Sequence, residues 1–109
     1  MDPALARGVE AFNRGEFFAA HEIWQEEWLE AVGDVKRLLQ GLVQIAAGYA
    51  KAESGERSGA IKLLTRGLER VRPFVPTAMG LDLEPFVAAV VSPRTCGRPA
   101  RFACREANR

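Results

Sequence analysis

The sequence predicts an all-α protein, a single small bundle of about five helices with a central, buried third helix. Three observations support this prediction. Apolar residues recur at three- and four-residue steps along most of the chain, which is the period of an amphipathic helix. Residues 38–50 are apolar nearly all round, as in a helix that others surround. Strict alternation of apolar and polar residues and hairpin dipeptides are both missing, so no strand is expected.

The composition is that of one small domain. The chain has 109 residues, of which 48% are hydrophobic, enough for a modest core. We expect residues 1–91 to form the helical bundle. Residues 92–109 contain five arginines and one glutamate and have no apolar periodicity, so we expect an Arg-rich, poorly ordered C-terminal tail.

Charge and targeting features favour a cytoplasmic protein. The net charge of +1 gives no global attraction to nucleic acid or to a membrane surface. The N-terminus lacks the basic start and long apolar run of a signal peptide. No run approaches the roughly 18 apolar residues that a membrane span needs. The two cysteines lie in the tail and do not resemble a secreted disulfide framework.

Residues with known preferences for helix ends delimit the first two helices. Asp2 and Pro3 suit a helix start, as cap and first-turn residue. Gly15 suits the left-handed conformation that closes a helix. Glu16 favours the positive end of the next helix dipole, so the second helix is predicted from Glu16 to about Ala31.

The remaining helices are delimited in the same way. Asp34 is predicted to cap the third helix, which then runs to about Ser54. The fourth helix is predicted from about Ser58 to Arg72, because two prolines follow closely. Asp82 is predicted to cap a short fifth helix with an apolar face.

The most informative stretch is residues 12–28, which hold the only histidine and both tryptophans. By helical spacing, His21 lies on the apolar stripe of the second helix and therefore faces the core. Glu22 lies about 100° round from it, at the core margin or on an adjoining interface. The residues that share this side with Glu22 are Phe18, Gln25, Glu26 and Leu29.

Gln44 lies within the apolar run of the third helix, where a buried amide needs a hydrogen-bond partner. Gly41 and Gly48 flank it on one stripe, and we expect the second helix to approach closely over these glycines. His21 and Gln44 should then lie within hydrogen-bonding reach, directly or through one water. Glu22 or Arg37 should complete the network at its edge.

The sequence resembles the domain of unknown function 309 family. The resemblance covers about residues 5–71 and implies an all-helical bundle, but it implies no activity. The features that carry it are the motif Phe-x-x-Gly-x-Phe-Phe-x-x-His-Glu at residues 12–22, Trp28, the Gln-Gly-Leu-Val-Gln segment at residues 40–44 and the pair Gly59-Ala60.

Two positions depart from the family pattern. Many members carry an acidic residue four positions after the histidine, where this chain has Gln25 with Glu26 beside it. Many also carry an asparagine in the turn before the Gly-Ala pair, where this chain has Glu56 or Arg57. A ligand that binds at either position in other members would be bound differently here.

Two functions fit these residues. A third interpretation is that His21 is only a buried histidine that is hydrogen-bonded within the core. The first is a ligand-binding or protein-interaction module built around a polar cluster. The second is a small hydrolase-like enzyme that uses His21 and Glu22 as acid–base residues. The aromatic residues are expected in the core, with a groove for a partner helix as the alternative. The candidate binding residues are His21, Glu22, Trp28, Arg37, Gln40 and Gln44.

No metal or cofactor is expected. A zinc-binding HExxH helix requires a second histidine four residues after the first, where this chain has Gln25. The partner is predicted to be an unknown small molecule or protein, homo-oligomerisation stays open, and a membrane is excluded. Nucleic acid is disfavoured, because no aromatic residue interleaves with the basic stripe Lys62, Arg66 and Arg70 of the fourth helix.

Overall fold

The structure, a computed structural model, describes residues 3–91 and residues 103–104. It is a bundle of helices with a small sheet, and the predicted helical bundle is confirmed. The helices are α1 (Pro3–Asn13), α2 (Phe17–Glu30), α3 (Gly33–Glu53), α4 (Arg57–Val71) and α5 (Leu83–Val91), with a 3-10 turn at Arg72–Phe74. The strands are β1 (Thr77–Ala78), β2 (Leu81–Asp82) and β3 (Ala103–Cys104).

α3 is the central helix, as the sequence predicts. It packs against α2 and against α4, while α1 packs against α2. Leu42, Ile45 and Ala46 of α3 are completely buried. A helix with neighbours on several sides needs apolar residues around most of its circumference, and residues 38–50 supply them.

A cluster of aromatic rings joins the helices around Phe12. The Phe12 ring lies 5.0 Å from that of Phe17 and 5.9 Å from that of Trp24, both on α2, between ring centroids. It lies 5.6 Å from Tyr49 on α3 and 5.7 Å from Phe86 on α5, in edge-to-face contacts. Such pairs add roughly 0.5–1.5 kcal/mol each beyond their buried area. Phe12 therefore ties four helices together.

α1 and α2 are in close contact where Gly8 meets Trp24. A Cβ atom at position 8 would overlap the Trp24 indole, so only glycine fits there. The indole Nε1 donates a hydrogen bond to the Leu5 carbonyl oxygen, at 3.3 Å. This bond satisfies the polar atom of a completely buried side chain.

The glycines of α3 face α4, and the expectation that α2 approaches over them is wrong. A Cβ at Gly41 would lie 3.0 Å from the Gly67 carbonyl oxygen. A Cβ at Gly48 would lie 2.9 Å from the Leu64 side chain. Because Gly67 of α4 also lacks a side chain, the two helices meet backbone to backbone along this stripe.

The predicted cap of the third helix is also wrong. No side chain caps α3, and Asp34 lies in its first turn, where its Oδ1 accepts a hydrogen bond from Arg37 Nη1 at 2.7 Å. Asp82 is the last residue of β2 and directly precedes α5, where the sequence places it. The Pro76 carbonyl oxygen accepts the hydrogen bond from the Leu83 backbone N–H, at 2.8 Å, and so satisfies the start of α5.

The expectation of no strand is wrong as well. β1 and β2 pair antiparallel, and β2 pairs antiparallel with β3, in the strand order β1-β2-β3. Each strand is only two residues long, too short for an alternating pattern to reveal it. Part of the predicted tail is therefore paired with the body. The tail is expected to be poorly ordered, and for residues 92–102 and 105–109 this expectation lies outside the described residues.

Candidate functional site

The predicted polar cluster is not assembled, because its members lie on different faces. Gln44 belongs to the α3 face that meets α4, and its Oε1 accepts a hydrogen bond from Arg70 Nε at 3.1 Å. His21 Nδ1 has no hydrogen-bond partner among the described residues. The predicted direct hydrogen bond between His21 and Gln44 is therefore wrong. The physical reason is that Gly41 is in close contact with α4. Gln44 lies three positions after Gly41 on α3 and therefore shares the side of the helix that faces α4.

Arg37 does not complete a network with His21 either. Its guanidinium forms an ion pair with Asp34 at 2.7 Å, and both side chains are largely exposed. The two residues lie three apart on α3, so this is a local contact within one helix turn. Gln40 is half-buried on the same helix.

His21 and Trp28 form the α2 half of the candidate set. Both side chains are half-buried, and His21 Nδ1 and Trp28 Nε1 are buried without a hydrogen-bond partner in the described part of the chain. They are seven positions apart, which places them on the same side of α2, about 10 Å apart along its axis. The two residues thus lie along one line of the helix.

Aromatic and cationic contacts surround these two rings. The Phe18 ring stacks on the His21 ring at 6.0 Å between centroids, with an interplanar angle of 20°. Lys36 Nζ lies 4.5 Å from the centroid of the Trp28 ring, a cation–π contact from α3. An unsatisfied buried nitrogen costs roughly 1–3 kcal/mol. The ring contacts offset part of that cost.

The contact that a hydrolase-like mechanism requires is not formed. A histidine base is oriented by a hydrogen bond from its second nitrogen to a carboxylate or carbonyl group. Glu22 is exposed and makes no ion pair with any described residue, and His21 Nδ1 has no partner there. Within residues 3–91 and 103–104, no three His, Cys, Asp or Glu side chains are grouped so that they could hold a metal ion.

The outer side of α2 carries large apolar side chains in solvent. Phe18 is 64% exposed and Leu29 is 63% exposed. They are eleven positions apart, which on a helix places them about 20° apart in rotation. Val32 and Val35, also exposed, follow Leu29 at the turn into α3. We call the residues Phe18, Glu22, Gln25, Glu26 and Leu29 the outer α2 face.

Phe18 and Leu29 were not among the candidate binding residues. Their helical phase does place them beside Glu22, away from the apolar stripe that holds Trp24. This phase was the available signal, because a large apolar residue off the buried stripe of a helix has to be covered by something else or remain in solvent.

Residues 5–63 match a protein family described as a domain of unknown function, DUF309. The match covers more than half of the 109-residue chain. The chain belongs to the DUF309 family. The DUF309 match includes α1, α2, α3 and the first part of α4, and so contains the whole outer α2 face and all six candidate residues.

The DUF309 match ends before α5 and the sheet. No curated protein matches the chain. Among the helices that the structure describes, none combines the length and the apolar character needed to cross a membrane.

Proposed function

We propose that this protein is a protein-interaction module that binds its partner through the outer α2 face. One observation carries the proposal: Phe18 and Leu29, each nearly two-thirds exposed, lie on one side of the same helix. A single exposed leucine needs no explanation. Two large apolar side chains aligned along three helix turns, with exposed Val32 and Val35 beyond them, favour a binding surface.

The form of this surface fits a protein better than a small molecule. Small-molecule sites are concave and bury most of the ligand. The outer α2 face is the side of a helix, and its apolar residues are spread over about 16 Å along the axis. A partner helix or strand could cover that length, with Phe18 and Leu29 as the anchors near the two ends.

His21 and Trp28 border this face on its buried side. Their rings have nitrogen atoms without partners in the described residues, and Phe18 stacks directly on His21. In this proposal, His21, Glu22 and Trp28 contribute to binding at or beside the outer α2 face. Arg37, Gln40 and Gln44 lie on α3 and are not part of it.

Site-specific photocrosslinking in cells tests the proposal. A photoreactive phenylalanine derivative replaces Phe18, Leu29 or, as a matched control, Ile61, which is 57% exposed on α4. Positions 18 and 29 should give the same discrete adduct, identified by mass spectrometry, and position 61 should not. Equal adducts at all three positions, or none at positions 18 and 29, would contradict an interaction surface on α2.

A further inference from the structure

We infer that the outer α2 face binds a basic amphipathic helix, with apolar residues along one side and lysine or arginine flanking them. This inference rests on the proposed function, because it names the chemistry of the partner for the same surface. It follows from the charge of α2, from the spacing of its exposed apolar residues and from the mismatch that a second copy would create.

α2 is strongly acidic. Its sequence, FFAAHEIWQEEWLE, contains four glutamates and no lysine or arginine. Glu22, Glu26 and Glu30 are exposed, and none of them forms an ion pair with a described residue. Three carboxylates at successive four-residue steps repel one another along a helix, and a nearby cation relieves that repulsion. A basic partner supplies such cations.

The apolar and acidic residues of the outer α2 face are interleaved. At about 100° per residue, Glu22 lies about 40° from Phe18 and about 20° from Leu29 around the axis, between the two in height. Gln25 lies between them as well, and Glu26 lies at the rim. A partner that covers Phe18 and Leu29 therefore brings its own flanking side chains next to Glu22 and Glu26.

The length of the face fits about three turns of a partner helix. Phe18 and Leu29 are separated by about 16 Å along the α2 axis. An amphipathic helix presents apolar residues at i, i+3 or i+4, and i+7, which spans about 10 Å, and one further turn to i+11 extends the span to about 16 Å. Its lysine and arginine side chains can extend their charges to the carboxylates while their methylene groups cover apolar surface.

A second copy of the chain fits this surface poorly. Most homodimers are two-fold symmetric, so the same patch on each subunit would meet itself. Glu22 and Glu26 of one copy would then face the same acidic residues of the other, and like charges across an interface are unfavourable. Lys36 lies over the Trp28 ring. Its charge is therefore engaged with that ring and not with these glutamates.

Fluorescence anisotropy with a designed peptide tests the inference. The probe is a labelled helical peptide of two heptads, with leucine on one face and lysine on the other, titrated with the full-length protein. A peptide with the same leucines but glutamate in place of lysine is the charge control. We expect the lysine peptide to bind, with affinity falling as salt is raised, and the glutamate peptide not to bind.

Three variants locate the binding. Leu29→Ser removes an apolar anchor, and the double variant Glu22→Gln, Glu26→Gln removes two charges without changing shape. Each should lower the affinity for the lysine peptide about tenfold, the effect of losing about 1.4 kcal/mol of binding free energy. Ile61→Ser, at a comparably exposed position on α4, should leave the affinity within about twofold. All four substituted positions are exposed, and unchanged circular dichroism will confirm that the variants fold.

The inference is overturned if the lysine peptide fails to bind, if the glutamate peptide binds equally well, or if Leu29→Ser and the charge variant bind like the wild type. These results are distinguishable from a failure of the proposed function. An adduct at positions 18 and 29 with a second copy or an acidic protein, without binding of the lysine peptide, refutes only the partner chemistry. The absence of adducts at both positions refutes the interaction surface itself.

Discussion

At the scale of single residues, His21 and Gln44 show how far spacing along a helix can lead. Both are polar residues within apolar runs, and their spacing predicts one shared hydrogen-bond network. Gln44 instead accepts a hydrogen bond from Arg70, while His21 Nδ1 has no partner among the described residues. Spacing identifies which residues share a face of a helix. It does not identify which neighbouring helix that face meets.

Double-mutant cycles should separate the two pairs. Gln44→Ala and Arg70→Ala remove the two partners of one hydrogen bond, so we expect them to couple by about 0.5–1 kcal/mol in the free energy of unfolding. His21→Ala and Gln44→Ala touch no common partner, so their effects should add within about 0.3–0.5 kcal/mol. Urea denaturation followed by circular dichroism measures both cycles.

Two outcomes of these cycles would contradict the expectation. A coupling between His21 and Gln44 as large as that between Gln44 and Arg70 would restore the network that the sequence predicts, through a bridging water. A negligible coupling between Gln44 and Arg70 would show that this partly exposed hydrogen bond adds nothing to stability.

At the scale of elements, the helices were predictable and the strands were not. The sequence predicts the second helix from Glu16 to about Ala31, and α2 runs from Phe17 to Glu30. The boundary before it is recognisable in the sequence because glycine is common where a helix closes. Gly15 has the positive φ, 83°, that this position requires. The two-residue strands carry too few side chains for any period to appear. Their pairing depends on tertiary contacts that the local sequence does not contain.

The contact between α3 and α4 depends on glycine at position 67. A Cβ there would lie 2.8 Å from the Gly41 carbonyl oxygen and 3.1 Å from the Ile45 backbone nitrogen. Both are backbone atoms and cannot move without separating the helices. Overpacking of this kind costs about 1–3 kcal/mol, and the helix propensity of alanine recovers about 1 kcal/mol. We therefore expect Gly67→Ala to destabilise the protein by up to about 2 kcal/mol.

Gly59→Ala in the same helix is the matched control. A Cβ at Gly59 would lie 3.2 Å from Lys51 Cδ, the flexible part of a side chain that can move aside. Its helix propensity gain should therefore dominate, with stability unchanged or raised by up to about 1 kcal/mol. Equal stability of the two alanine variants in urea denaturation would show that the α3–α4 contact tolerates a larger separation.

At the scale of the whole molecule, the DUF309 match and the folded unit have different limits. The match ends at residue 63, within α4. Leu81, Leu83 and Phe86, which lie beyond it, are completely buried. Phe86 also contacts Phe12 of α1 at 5.7 Å between ring centroids. The core therefore needs residues from the C-terminal part of the chain, and the outer α2 face depends on that core to hold α2 in place.

Truncation of the C-terminus tests how far this dependence extends. The sequence after residue 91 has no apolar period, which predicts that its removal leaves the melting temperature nearly unchanged. The structure favours a different result, because Cys104 pairs with Leu81 and Ala103 pairs with Asp82 in the sheet. β3 covers an edge of β2, directly before α5 begins. Its loss exposes the backbone groups of a strand that leads into the core.

Deletion of residues 92–109 should therefore lower the melting temperature by about 4–8 °C, the shift that a loss of about 1 kcal/mol produces in a domain of this size. Deletion of residues 105–109 keeps β3 and is the control, with an expected change close to zero. Thermal unfolding followed by circular dichroism compares the two truncated chains with the full-length protein.

If both truncated chains melt at the same temperature as the full-length protein, the β2–β3 pairing contributes no stability, and the expectation from the sequence holds for the whole tail. If the longer deletion alone melts early, residues 103–104 are part of the folded unit, and the domain extends beyond residue 91.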